Sequence, residues 1–147
     1  MAPRGIRNNN PLNIRKGNNW QGERHPQTDK EFEEFATMVD GIRAAMILAY
    51  NLITGRARSC HGQPCNTLDK LITRWAPPHE NNTGAYLRHV AMAAGITTRE
   101  PLYPIKKAQF CSVIAAMACV ECGCNLDKND IYTAYALARL VCTDMPA

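Results

Sequence analysis

Val39-Asp-Gly-Ile-Arg-Ala-Ala-Met-Ile-Leu-Ala-Tyr-Asn-Leu-Ile-Thr-Gly55 is the stretch whose reading decides the fold. Ile42, Ala45, Met46, Ala49, Tyr50 and Ile53 recur at spacings of three and four, which puts them on one apolar stripe of a helix. The helix begins near Val39 or Asp40, and Gly55 ends it, because glycine accepts the left-handed turn that closes a helix. The same grammar returns downstream. Asn66 or Thr67 caps a short helix carrying Leu68, Leu71, Ile72 and Trp75, which Pro77-Pro78 stops. Asn82 or Thr83 caps another, with Tyr86, Leu87, Val90 and Ala91 inward and Gly95 at its end. The most apolar helix runs from about Ile105 to Glu121, with Phe110, Val113, Ile114 and Met117, and Gly123 terminates it. Asp127 caps a last one with Ile131, Ala134, Tyr135, Ala138 and Val141 inward. The expectation is one mainly helical domain over residues 1–147, without internal repeat or linker.

Upstream of Val39 the pattern changes. Gly5, Pro11, Gly17, Gly22 and Pro26 break residues 1 to 36 into loops, with a short strand or hairpin around Asn13–Arg15 and Phe32–Ala36. Within this region Arg4-Gly-Ile-Arg-Asn-Asn-Asn-Pro-Leu-Asn-Ile-Arg15 stands out. Three Asn before a Pro cannot continue a helix, and their amides suit either a backbone-shaping turn or a sugar site.

The bulk properties narrow the function. With 147 residues and 46% hydrophobic content, the chain can bury a core and is not disordered. A net charge of +4 favours an anionic partner without naming one. No run approaches the roughly 20 apolar residues of a membrane helix, and the polar N-terminus has no apolar core of a secretory signal. Export would therefore use a phage or a secretion system, or a leader lies outside this sequence. Phosphate loops, dinucleotide fingerprints and Ser/His/Asp patterns are missing, and His79 and His89 read as surface residues. The seven cysteines, 60, 65, 111, 119, 122, 124 and 142, admit disulfides or zinc. Cys119, Cys122 and Cys124 with Cys60, His61 and Cys65 do not make a standard zinc knuckle, so disulfides rank first, Cys60–Cys65 among them, and no metal is assigned.

A resemblance extends this reading. Arg4–Arg15, Trp20-Gln-Gly-Glu23, Asp29, Phe32, Phe35 and Gly41-Ile-Arg-Ala-Ala45 resemble a family of phage and prophage-associated virion or lysozyme-like proteins. The likeness continues through Asn66–Tyr86 and Val90 to Ala115-Ala-Met-Ala-Cys-Val-Glu-Cys-Gly123, where that family more often reads like His-Glu-Asn-Gly. The N-terminal block also resembles part of the lysozyme-like glucosaminidases and lytic transglycosylases. In those enzymes a Glu-bearing helix end precedes the Asn-rich segment. Here the helix-end glutamate, Glu121, comes near the C-terminus, so the resemblance implies a lysozyme-like α+β fold with circularly permuted elements.

The activity so implied is cleavage of peptidoglycan between N-acetylmuramic acid and N-acetylglucosamine in the bacterial cell wall or periplasm, without a cofactor. Such chemistry needs a carboxylic acid that stays protonated near neutral pH. Glu121 follows an apolar helix and sits at the negative end of its dipole, and both raise a carboxyl pKa. Glu23 is the second carboxylate. Glu31, Glu33, Glu34 and Asp29 read as a solvated strand face. Asn8, Asn10, Trp20, Trp75 and Tyr86 are the candidates to line the sugar cleft. The rivals are a non-catalytic virion or wall-binding protein, and a nucleic-acid binder using Arg4, Arg7, Arg15, Lys16 and Arg24. The last ranks lowest, since beyond Trp20 no aromatics interleave those charges.

Overall fold

A computed structural model of the chain describes residues 2–147, and these are mainly helical. The elements are α1 (Arg4–Arg7), α2 (Met38–Thr54), α3 (Leu68–Trp75), α4 (Thr83–Ala94), α5 (Lys107–Cys122) and α6 (Lys128–Arg139), with a 3-10 turn at Arg58–Cys60. The expected caps account for most boundaries. Thr67, Asn82 and Asp127 accept hydrogen bonds from first-turn N–H groups of α3, α4 and α6. Gly55, Gly95 and Gly123 close α2, α4 and α5 in the left-handed conformation.

Three boundaries differ from the sequence reading. Helix α2 begins at Met38, just before Val39 or Asp40, because Thr37 caps it, its Oγ1 accepting from the Asp40 N–H at 3.2 Å. The four-residue α1 carries no periodic stripe to announce it. It forms because the Pro3 carbonyl takes the N–H groups of Ile6 and Arg7, each at 3.0 Å. Val141 is 55% exposed rather than inward, since α6 ends at Arg139 and the chain turns there; Cys142 takes the core position.

The core forms where α2 packs on α6 and α4 on α5. Tyr50, Phe110 and Tyr135 meet at its centre. Tyr50 and Phe110 stand edge to face with centroids 6.2 Å apart, and Phe110 and Tyr135 are tilted at the same distance. Among the described residues no helix is long and apolar enough to cross a membrane.

The N-terminal region is held by backbone pairing rather than by a regular sheet. Residues 31–36 lie between two neighbours, with antiparallel bridges Arg15–Phe32 and Glu23–Phe35. Ile14 accepts from the Glu33 N–H at 3.0 Å, and Glu34 from the Arg24 N–H at 2.8 Å. This region docks on α2 at Gly41, where a Cβ would lie 1.8 Å from the Asn9 carbonyl oxygen. Only glycine permits that approach.

Within the acidic run 31–34, Glu31 is exposed but Glu33 and Glu34 are not on a solvated face. Glu33 and Glu34 are 3% and 2% exposed. Glu34 accepts from the Thr28 N–H and hydroxyl and from the Asp29 N–H, all within 2.7–2.9 Å. These bonds outweigh its burial and hold its carboxyl below the usual range. Asp29 takes the Arg4 guanidinium with both oxygens, at 2.6 and 2.8 Å, and Asn8 Nδ2 at 2.9 Å. Glu33 pairs with Glu23. Burial, then the bond to Glu23 and its charge, push Glu33 up to about 7, while the same bond and the Trp20 N–H hold Glu23 low. Of the two adjacent carboxyls, Glu33 is therefore the one that keeps its proton to higher pH.

Two outcomes are expected. Gly41→Ala should destabilise the protein by at least about 1–3 kcal/mol in urea unfolding, because backbone must move. Gly84→Ala, in helix α4 with only the Arg88 guanidinium at 3.4 Å, should be neutral or slightly stabilising; equal losses at both sites would overturn the docking argument. For the carboxyl pair, the folded chain retains a proton between pH 4.5 and about 7 that the unfolded chain has released. Stability from this source is complete below 4.5 and lost as pH rises through 7. Glu33→Gln should show a smaller decline in urea midpoint from about pH 5 to 8 than the parent; an identical decline would mean that Glu33 retains no such proton.

Candidate active site

The C-terminal turn of α5, the Asn-rich turn and the end of α3 converge on Glu121. Burial makes its carboxyl harder to ionise and raises its pKa, against two neutral donors that oppose the shift. Asn13 Nδ2 donates to Glu121 Oε1 at 3.0 Å, and the Tyr86 hydroxyl donates to Oε2 at 3.0 Å. Burial and the facing carboxylate in turn push the Tyr86 hydroxyl far above its ordinary range. Because an amide nitrogen can only donate, Oε1 must remain an acceptor, so a proton on Glu121 sits on Oε2. The tyrosine hydroxyl, donor and acceptor both, fits either protonation state.

Each neighbour is placed by the chain around it. Asn9 and Asn13 both adopt positive φ, 51° and 52°, a conformation asparagine tolerates better than other side chains bearing a Cβ. That turn swings the Asn13 amide toward α5. Gly5 lets α1 lie against it, since a Cβ there would meet the Asn10 carbonyl at 2.9 Å and Cys122 Cβ at 3.2 Å. Trp75 is tied to the same turn, its Nε1 donating to the Leu12 carbonyl at 3.0 Å. Tyr86, 5% exposed, sits inside α4 behind the carboxyl.

Glu121, Asn13 and Trp75 border an open, polar cleft of about 520 Å³, and Tyr86 lies outside its lining. Asn13 and Glu121 form one part of its lining; Phe32 and Trp75 supply aromatic surface, and Arg15, Glu80 and Asn81 complete it. Arg15 is engaged with Glu31 at 3.5 Å and stacks over Phe32. Beyond Tyr86 a second hollow of about 400 Å³, lined by Asn82, His89 and Cys119 among others, shares Asn81 with the cleft.

The sequence candidates divide accordingly. Glu121, Trp75 and Tyr86 come together. Asn8 and Asn10 do not reach the cleft: they are 6% and 0% exposed and serve the turn itself. Asn10 Nδ2 donates to the Ile14 and Glu33 carbonyls while its Oδ1 accepts from the Ile14 N–H. Glu23 is not part of the cleft lining, being occupied with Glu33 and the Trp20 N–H. Trp20 borders a separate groove of about 500 Å³ with Asn18, Asn19, Ile47 and Asn51. Among the described residues its indole N–H has no partner. Asn13, Phe32, Glu80 and Asn81 line the cleft although the sequence reading did not name them individually as site residues. A signal for Asn13 existed in its place as the first Asn after Pro11, three residues past the Asn run.

Other sequence readings resolve in the same geometry. The basic residues offered for nucleic acid are partly spent: Arg4 binds Asp29, Arg15 pairs with Glu31, and Arg24 donates to the Arg7 carbonyl. Among the described residues no cluster of three or more His, Cys, Asp or Glu side chains could hold a metal. All seven cysteines are free thiols. Cys65 neighbours Cys60, and burial with that neighbour pushes its thiol pKa up.

No family model matches the chain. Over 129 residues it is 40% identical to protein P5 of Pseudoalteromonas phage PM2, a match covering 84% of this chain and 74% of that protein. The matched span exceeds the extent of any single element described above, and at this identity the chain belongs to the family of phage PM2 protein P5.

Proposed function

We propose that this protein cleaves the glycan strands of bacterial peptidoglycan between N-acetylmuramic acid and N-acetylglucosamine, with Glu121 as general acid. The observation that carries the reading is Glu121 itself: a desolvated carboxyl of raised pKa, bordering a polar cleft beside Trp75 and Phe32. Protonating a glycosidic oxygen needs an acid that keeps its proton in that environment. Aromatic faces and amides are the groups that hold sugar rings, and Trp75, Phe32, Asn13 and Asn81 bring both to the cleft.

The choice of mechanism follows from the second carboxylate. Glu23 is committed elsewhere, and Glu80, at the cleft border, is exposed. A lone half-buried acid favours the transglycosylase route, in which the substrate's own hydroxyl completes the displacement and Glu121 acts first as acid and then as base. Glu80 is the group to supply a hydrolytic water otherwise. The helix-end glutamate facing the Asn-rich turn also supports a permuted lysozyme-like α+β arrangement, since such a cleft needs those two pieces face to face. The working place is the cell wall, reached by phage delivery, and the partner is the glycan strand rather than nucleic acid or a membrane.

Digestion of purified peptidoglycan with mass analysis of the fragments tests this. Fragments with 1,6-anhydro ends are expected; reducing ends would mean hydrolysis, and retained binding without release would leave a wall-binding module instead. Glu121→Gln should abolish release while keeping the urea midpoint close to the parent's; full activity would remove Glu121 from the chemistry. Activity should also fall as pH rises through the raised Glu121 pKa, because the acid form is the working one. Tyr86→Phe removes a donor that favours the ionised carboxyl, so its alkaline limb should move to higher pH. A shift toward lower pH would contradict the role given to the Tyr86 hydroxyl.

A further inference from the structure

The residues that follow Glu121 carry chemistry that glycan cleavage does not use. Cys122 is the last residue of α5 and is buried, its Sγ donating to the Ala118 carbonyl at 3.2 Å. Gly123 then takes the left-handed conformation, φ 67° and ψ 21°, which turns the chain back on itself. Cys124, half-buried, is thereby returned to Cys122, and their sulfurs lie 2.7 Å apart. A residue with a Cβ would resist that turn, so the glycine is what brings the two thiols into contact. Cys119, one turn earlier, faces the hollow beside Tyr86 instead.

We propose that Cys122 and Cys124 are a reversible redox site, forming an intramolecular disulfide directly after Glu121 when the chain meets a small-molecule disulfide such as oxidised glutathione. Cys124 is the attacking group, because it reaches solvent, whereas burial and the neighbouring thiol push Cys122 up to about 12. The Cys124 thiolate attacks one glutathione sulfur and expels the other half as a thiolate, leaving a mixed disulfide. Cys122 then gives up its proton and attacks Cys124 Sγ, expelling the second glutathione. Two protein thiols and one glutathione disulfide become one protein disulfide and two glutathione thiols. A ring closed across a single residue is strained and so easily reduced, which makes the cross-link a switchable one rather than a permanent staple. It also ends the Cys122 bond to Ala118 and covalently fixes the turn that follows the Glu121 helix. The cross-link does not depend on the glycan reading.

The test is thiol mapping. Reduced full-length protein is incubated with oxidised glutathione, denatured, alkylated and digested with trypsin without reduction. The peptide Ala108–Lys128 contains Cys111, Cys119, Cys122 and Cys124. It is expected to carry alkyl groups on Cys111 and Cys119 alone and to be two hydrogens lighter, and reduction should restore all four sites to alkylation. In Cys124→Ser, whose replaced side chain is not fully buried, Cys111, Cys119 and Cys122 should all be alkylated. Four alkylated cysteines in the oxidised parent, a glutathione adduct that persists on Cys124, or a cross-link that survives in Cys124→Ser through Cys119 would each overturn the proposal.

Discussion

The Asn10 side chain is fully enclosed and makes three hydrogen bonds to backbone, two to Ile14 and one to Glu33. Much of the N-terminal third depends on it. A buried amide left without partners is costly, and so are the backbone groups it serves. With all three bonds made, it joins the Asn-rich turn to the 31–36 segment where no regular sheet exists to do so. The turn so fixed then seats its Asn9 carbonyl against Gly41 of α2, receives the Trp75 indole at Leu12, and aims Asn13 at Glu121. One asparagine that never meets solvent therefore sets where the cleft residues stand.

That dependence explains what could be read along the chain. Helix caps and glycine stops are local: Thr67, Asn82, Asp127, Gly55, Gly95 and Gly123 act within a few residues of themselves, and each ended or began the element it was expected to. The position of Glu121 at the end of an apolar helix was legible for the same reason. The acidic run was not. Nothing in Glu31-Phe-Glu-Glu34 distinguishes a solvated face from a segment in which Glu33 and Glu34 are enclosed by Glu23, Thr28 and Arg24 from other parts of the chain while Glu31 stays exposed. Nor do four nearby asparagines reveal which of them shapes backbone and which reaches a cleft; that is decided by the left-handed conformations at Asn9 and Asn13, and by a long-range contact over more than a hundred residues.

The carboxyls are handled in three ways. Asp29 and Asp144 meet guanidinium groups, from Arg4 and Arg56, and both are held low, Asp144 at about 2. Glu34 is surrounded by N–H and O–H donors from its own loop. Glu33, beside Glu23, keeps its proton to higher pH. These arrangements neutralise charge or tie down a loop, and they are sufficient to explain why acids lie inside so small a domain. They also fix the sign of the pH response: the paired acids favour the folded state above their depressed pKa values, the Glu33 pair below its raised one.

Glu121 fits none of those arrangements. Its donors are neutral, its pKa rises because burial outweighs them, and its oxygens face a cleft rather than a cation. For stability alone the position would be better filled by an apolar side chain that continues α5, or by a carboxylate given a cation, as Asp29 and Asp144 are. Arg15, the guanidinium at the cleft border, is turned to Glu31 and Phe32 instead. A half-buried acid kept without a counter-charge, beside amides and aromatic surface, is a local cost that folding does not need. Such costs concentrate where chemistry uses the perturbed group, and that asymmetry among otherwise similar carboxyls is the strongest physical reason to look for the protein's activity at Glu121.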